Sequence, residues 1–376
     1  MTATVHFKEL PCQDGNTKIG VATLDNAPSL NALTYDMLAL LKEKLESWQE
    51  DDSIACVFLE GQGEKAFCAG GDVRTMHDVM RDKFSQEIEA FCTTFFKLEY
   101  ECDYLIHTYC KPIIAWGEGI IMGGGMGLYM GSSHKVVTPS TRLAMPEVSI
   151  GLYPDVGATW FLNRLEPGVG LFLGLTGVMI NGSDALDVNL ADHMVLSEEK
   201  ESLVERLLSL LWDEQEDAYE AVTDLLVEFA DKVNGHKPDP QMQPFMQDIQ
   251  RACSASDVVE VSKNILELEG QSKWLDVAKR NHASGSPITS HICFRQLNQY
   301  KDLSLADCFR LELNLSVRSG LLGEFREGVR ARLIDKDGEP KWQFSRVDNV
   351  DEAVIDTLFA SLWDKKSHPL AQLGHY

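Results

Sequence analysis

A chain of 376 residues with 44% hydrophobic content is long enough for one large domain or two around a sizeable core. Its formal net charge of -24 repels phosphate backbones and anionic lipid faces, so nucleic acid and membrane are not expected partners. The nine cysteines are scattered and form no C-x-x-C pair, no basic-then-apolar leader opens the chain, and no apolar run reaches ~18 residues, so free thiols and a cytoplasmic location are expected.

In chain order, "VHFKEL" and "KIGVATLD" predict strands joined through a turn at Asp14-Gly15-Asn16. Apolar positions at helical spacing predict a helix over Tyr35–Glu50, with Thr34 as its N-cap. "IACVFLEG" reads as a short buried strand. "GEKAFCAGGDV", Gly63 to Val73, follows it and leads into a helix. There Gly70-Gly71 allows a tight turn with backbone N–H groups exposed, and the competing reading is a plain turn in which Asp72 caps the helix. Residues 85 to 108 predict a long helix, on which Glu99 in "FFKLEY" is expected to be a surface charge.

The strand "PIIAWGEG" runs into "EGIIMGGGMGLYMG", which holds six glycines in fourteen residues. Glycine weakens a buried element by roughly 1 kcal/mol against alanine, so that density asks for a reason. A turn at Gly123–Gly125 opening a helix through Met130 would expose backbone N–H groups able to stabilise an oxyanion. Close helix–helix packing through small residues is an equal alternative. After the strand "HKVVTP" comes "RLAMPEVSIGLYPDVGATWFLNRL". Glu147 there sits among apolar neighbours, either solvated at a strand end or functional. Asp155 opens a helical pattern, where an N-cap role competes with a functional one. Two carboxyls eight positions apart across a Gly-Leu-Tyr-Pro turn could converge, and apolar surroundings would raise their pKa toward the range of acid–base catalysis. Beyond about residue 198 the pattern is helical and highly charged, with breaks at Gly235–Pro240, Ser284–Pro287, Asp335–Pro340 and near Val347. The phosphate-loop, dinucleotide, serine-elbow and H-E-x-x-H motifs are absent, and the histidines do not cluster at ligand spacing, so no metal site is expected.

Five ordered blocks resemble the enoyl-CoA hydratase/isomerase (crotonase) superfamily: "NAPSLNALTYDM", "GEKAFCAGGDV", "GEGIIMGGGMGL", "RLAMPEVSIGLYPDVGATWFLNRL" and "LTGVMINGSDALDVNLADHMV". The resemblance implies an α/β fold, a crotonase-like ββα spiral core with a mostly helical C-terminal extension. It implies residues 1–200 as the CoA-thioester domain, and 201–376 as a helical region packing on that core and covering the active site. It also implies backbone N–H groups of Gly71 and Gly124 as the oxyanion hole. Family hydratases carry one glutamate two residues after the triple glycine, where this chain has Gly127, and another at the position of Glu147. With only the second acid present, ordinary hydration is disfavoured. "EFREGVRARLIDKDGEPKW", Glu324 to Trp342, extends the resemblance to a hydrolase branch acting on short branched β-hydroxyacyl-CoA thioesters. In that branch Glu99, Gly124, Glu147 and Asp155 bind substrate, with Glu147 and Asp155 catalytic. The implied partner is an acyl-CoA, with CoA arriving as part of the substrate and no further cofactor. Lys65 and Arg142 are candidate contacts to CoA phosphates, with surface solvation the default for both. A hydratase or isomerase, and an inactive acyl-CoA-binding protein, stay open, as does assembly into a homo-oligomer.

Overall fold

The computed structural model describes residues 3–374. Met1 and Thr2, where the stretch lacking a leader pattern begins, lie outside them. Ten strands form among the described residues. They are β1 (Thr4–Pro11), β2 (Lys18–Asp25), β3 (Ile54–Gly61), β4 (Ala66–Cys68), β5 (Ile113–Gly117), β6 (Ile120–Met122), β7 (His134–Val137), β8 (Arg142–Ala144), β9 (Ile180–Asn181) and β10 (His193–Met194). They make a six-stranded sheet in the order β1-β2-β3-β5-β7-β10 and a four-stranded sheet in the order β4-β6-β8-β9. The larger sheet is parallel apart from the β1–β2 hairpin.

Successive strands alternate between the sheets. β3, β5 and β7 enter the larger one, and β4, β6 and β8, which follow them, enter the smaller, with helical segments between the pairs. That alternation is the expected ββα spiral. Every residue of β5 is buried, as a strand covered on both faces requires. The expected helix Tyr35–Glu50 forms with those bounds, and the Thr34 side chain accepts from Met37 N. No helix among the described residues is long and apolar enough to cross a membrane.

The chain groups into two compact units, each discontinuous in sequence. The first comprises 1–71, 102–143 and 180–241, and the second 72–101, 144–179 and 242–376. These units do not coincide with the ranges 1–200 and 201–376, although strands do end at Met194 and only helices follow among the described residues. In the first unit, helices Lys200–Ser209 and Ala218–Ala230 bury Leu203, Leu207, Leu225 and Phe229 against Ile19, Phe58, Ile114 and Trp116 of the sheet. Each such side chain contributes roughly 1.5–3 kcal/mol when fully buried. This segment reads as one run of helical period in the sequence, but it breaks between the two helices. In the second unit, the segment 144–179 packs with helices Pro287–Gln299, Leu305–Leu322 and Glu324–Val329.

Candidate active site

The first group of candidate residues is backbone, and lies in the first unit. β4 ends at Cys68 and leads into Gly70-Gly71, with Gly70 at φ +113°. Leu33 N donates to Gly70 O at 2.8 Å, and Leu33 and Gly71 form a parallel bridge. The Gly70 C=O and the Gly71 N–H belong to one trans peptide group and point in opposite directions, so the Gly71 N–H points away from Leu33. Asp72 performs its plain role: it caps helix Val73–Asp82, its Oδ1 accepting from Thr75 N at 3.2 Å. β6 runs beside β4, with Ala66 opposite Ile120, and ends at Gly123. Gly123 has φ 54° and ψ -128°, a conformation essentially confined to glycine. Gly124 then starts helix Gly124–Gly131, so its N–H has no intrahelical partner and stands at the positive end of the helix dipole. Strand pairing brings the two turns together: a Cβ built on Gly70 would lie 3.9 Å from Gly124 N.

The neighbouring glycines serve contact. A Cβ on Gly125 would sit 2.2 Å from the Cys68 carbonyl oxygen, so the close contact there is of helix against strand β4 rather than helix against helix. A Cβ on Gly127 would sit 2.6 Å from Oδ2 of the buried Asp103. The place of the hydratase glutamate is therefore closed by another side chain.

The second group is three carboxyls of the second unit, Glu99, Glu147 and Asp155, each 3% exposed. Glu99 is not the expected surface charge. Lys97 and Glu101 pair at 2.6 Å on the solvent side of the helix Ser85–His107, whereas Glu99 turns inward with Phe95, Phe96 and Tyr100. Glu147 is not solvated at a strand end. It opens a short 3-10 helix, Glu147–Ile150, and its Oε2 is buried without a hydrogen-bond partner. Nor does Asp155 cap a helix: the following helix Ala158–Phe161 starts at Gly157 without a side-chain cap. Asp155 Oδ2 instead accepts from the Tyr100 hydroxyl at 2.6 Å.

Burial is the main cause that raises all three acids, since it disfavours the charged form. It lifts Asp155 to about 7, with the Tyr100 hydrogen bond opposing the rise. Glu147 is held well above the carboxylate range by burial and then by the Asp155 and Glu99 charges. Glu99 is raised by burial and then by Asp155. All three acids are thus held above the ordinary carboxylate range, burial being the main cause for each. A cluster that holds protons near neutrality is equipped to take and return them.

Two supports for this cluster come from more than 130 residues away in sequence. Glu312, on the helix Leu305–Leu322, accepts from Gly157 N at 2.7 Å, Thr159 N at 2.9 Å and Thr159 Oγ1 at 2.6 Å. Gln296 Nε2 donates to Pro154 O at 2.8 Å and Thr159 Oγ1 at 2.6 Å. Together they fix the loop in which Val156 (φ 53°) and Gly157 (φ 88°) reverse the chain after Asp155. The Glu147 turn is supported by the late block. A Cβ on Gly328 would lie 2.2 Å from the Ile150 carbonyl, and one on Gly151 2.5 Å from the Glu324 carbonyl oxygen. Ser286 N donates to Val148 O at 2.9 Å, and the Ser286 hydroxyl donates to Glu324. Sequence reasoning did not identify Glu312, Gln296 or Tyr100, because no local pattern links them to Asp155. Lys65 and Arg142 are exposed, and Arg142 donates to Thr141 O at 2.7 Å, in keeping with surface roles.

The family model described as enoyl-CoA hydratase/isomerase matches residues 19–359. The chain is 38% identical to a Danio rerio protein named "3-hydroxyisobutyryl-CoA hydrolase, mitochondrial", over 92% of this chain and 88% of that one. It is 32% identical to an Arabidopsis thaliana protein named "Small ribosomal subunit protein mS47", over 94% of this chain and 85% of that one. Among solved structures, one titled as an enoyl-CoA hydratase from Rhodobacter sphaeroides superposes with a TM-score of 0.80 at 26% identity, covering 95% of this chain and 97% of that one.

Proposed function

The chain belongs to the enoyl-CoA hydratase/isomerase family, and within it we propose that this protein hydrolyses 3-hydroxyisobutyryl-CoA to 3-hydroxyisobutyrate and free CoA, a step of valine breakdown. The observation that carries this reading is the buried Glu147, with one carboxyl oxygen unpartnered and two further acids raising its pKa. The closed position at Gly127 and the identity to named hydrolases across the helical C-terminal half support hydrolysis over hydration.

In the proposed reaction, the Gly71 and Gly124 N–H groups receive the thioester oxygen as it gains negative charge. Each such donor is worth ~2.7–4 kcal/mol of transition-state stabilisation. Glu147, once deprotonated, acts in one of two ways. As a base it takes a proton from water while the water oxygen bonds to the acyl carbon. As a nucleophile its own oxygen bonds to that carbon, giving a mixed anhydride that water then cleaves. In both routes the C–S bond breaks and the CoA thiolate takes up a proton. Asp155 either accepts from the substrate hydroxyl or supplies that proton. Glu99 holds the hydroxyacyl end or the neighbouring acids. CoA enters with the substrate, so the reaction needs no redox or metal cofactor.

A second reading is favoured by the relative named as a ribosomal subunit protein: a binding protein without turnover. The three buried carboxyls, each with its pKa raised by burial, argue for the enzyme, because a binding role has no need of such acids gathered together. Purified protein with (S)-3-hydroxyisobutyryl-CoA and a thiol reagent should release CoA, and a panel of acyl-CoA thioesters should rank this acyl group first. Tight binding without thiol release from any member would favour the second reading. None of the nine cysteines forms a disulfide among the described residues. The vertebrate relatives are named as mitochondrial, and imaging of the tagged protein decides between that location and the expected cytoplasm.

A further inference from the structure

Tyr100 neighbours the cluster without being one of its acids. Its hydroxyl donates to Asp155 Oδ2 at 2.6 Å and lies 2.7 Å from Ser316 Oγ. Ser316 Oγ is in turn 2.8 Å from the Tyr153 hydroxyl, which donates to the Glu312 carbonyl oxygen at 2.6 Å. Proton directions follow by elimination. The Tyr153 proton is committed to a carbonyl that can only accept, and the Tyr100 proton to Asp155. The single Ser316 proton can then be donated to only one of the two phenol oxygens at a time. When it goes to Tyr100, the donations run from Ser316 through Tyr100 to Asp155 Oδ2. All four side chains are buried, so a broken link leaves an unsatisfied polar group. The Tyr100 hydroxyl, on Oδ2, is the one side-chain donor to Asp155 among the described residues, and a backbone hydrogen bond of Asp155 itself adds to its effect on the anion.

We propose that Tyr100 is a positioning residue of the hydrolytic reaction, held by Ser316 and Tyr153, which occupies Asp155 Oδ2 and leaves Oδ1 as the oxygen that meets the substrate. This rests on the hydrolase reading above. The ionisable groups facing Asp155 are Glu99 and Tyr100 from the helix Ser85–His107, Glu147 and Tyr153 from its own segment, and Glu312 from the helix Leu305–Leu322. Of these, Tyr100 is the one that donates to Asp155, and its hydrogen bond stabilises the anion.

Tyr100→Phe removes the donor and keeps the ring. The limb of the pH–rate profile that vanishes in Asp155→Asn should move to higher pH in Tyr100→Phe by about one unit, with kcat lowered more than KM is raised. Ser316→Ala loosens the phenol without removing it and should shift the same limb in the same direction by less. The carboxyl resonance of Asp155 in ¹³C-aspartate-labelled protein, identified by its loss in Asp155→Asn, should titrate higher in both variants. That titration is independent of substrate. An unmoved limb and an unmoved resonance in folded Tyr100→Phe would overturn the proposal, as would a shift absent from Ser316→Ala as well when Tyr100→Phe does not fold. No CoA release by the unaltered protein would instead count against the hydrolase reading, with the titration still deciding the role of Tyr100.

Discussion

The glycine turns of the first unit and the carboxyl cluster of the second carry their chemistry in opposite ways. At Gly71 and Gly124 the working groups are main-chain N–H, which every residue but proline has. What the sequence must supply is the absence of side chains, and neighbours such as Gly125 show how little room is left. At Glu99, Glu147 and Asp155 the working groups are the side chains, and burying them opposes their ionisation. The difference teaches how each region fails. The first is broken by adding atoms, which damages the fold and the function together. The second is broken by removing an acid, which can leave the fold intact or improve it.

The largest effect expected is on activity alone. Glu147→Gln should lower CoA release about a thousandfold, within the usual range for a lost general base. Its thermal midpoint should be unchanged or higher, because a buried carboxyl with an unpartnered oxygen has gone. A large fall in thermal midpoint would mean that Glu147 is structural. Gly127→Glu tests the other region. Restoring the hydratase acid forces a Cβ against the Asp103 carboxylate, so it should destabilise by about 3–5 kcal/mol and yield no crotonyl-CoA hydration. Pairing it with Asp103→Gly should recover part of that stability in denaturant titrations.

Gly328→Ala carries the failure by added atoms into the second unit. The methyl group meets the Ile150 carbonyl and should cost about 1–3 kcal/mol, with kcat falling because the turn that presents Glu147 is displaced. The smallest effect is a slope. Burial pushes Glu312 from 4.5 to about 8, so its proton is held more tightly folded than unfolded. The stability it contributes is complete below about pH 4.5 and is lost as pH rises toward 8. Asp155 at about 7 acts in the same direction. Thermal midpoints should therefore decline between pH 5 and 8.5, and Glu312→Gln should flatten that decline while lowering the value at pH 5, where the Gly157 hydrogen bond is missed.

The two regions were also unequally legible in the sequence. Turn chemistry is local, so the glycine turns, the helix they open and the Asp72 cap could be read from adjacent residues. Strands β1, β2, β3, β5 and β7 of the larger sheet were legible for the same reason, whereas the three-residue strands β4, β6 and β8 of the smaller one are too short to show a pattern, and the paired arrangement followed from the family resemblance. Local pattern alone makes Glu99 a surface charge, because a charge beside Lys97 and Glu101 resembles a solvated face; the family resemblance places it with the substrate-binding residues, and tertiary packing is what turns it inward. The N-cap alternative for Asp155 was reasonable on local grounds and failed because Tyr100, 55 positions earlier, takes its carboxylate. Glu312 and Gln296 had no local sign at all. The late block Glu324–Trp342 carries a family resemblance but no local sign of its physical role, which is to brace the Glu147 turn directly at Gly328 and, through Glu324, by way of Ser286.

The most direct measurement is a paired assay on one preparation: thiol release from 3-hydroxyisobutyryl-CoA beside water addition to crotonyl-CoA, each followed from pH 6 to 9. Release should dominate and should climb with pH across this range, since Glu147 must lose a proton held well above the ordinary carboxylate range before it can act. Rapid hydration without thiol release, or the absence of both, would contradict the account.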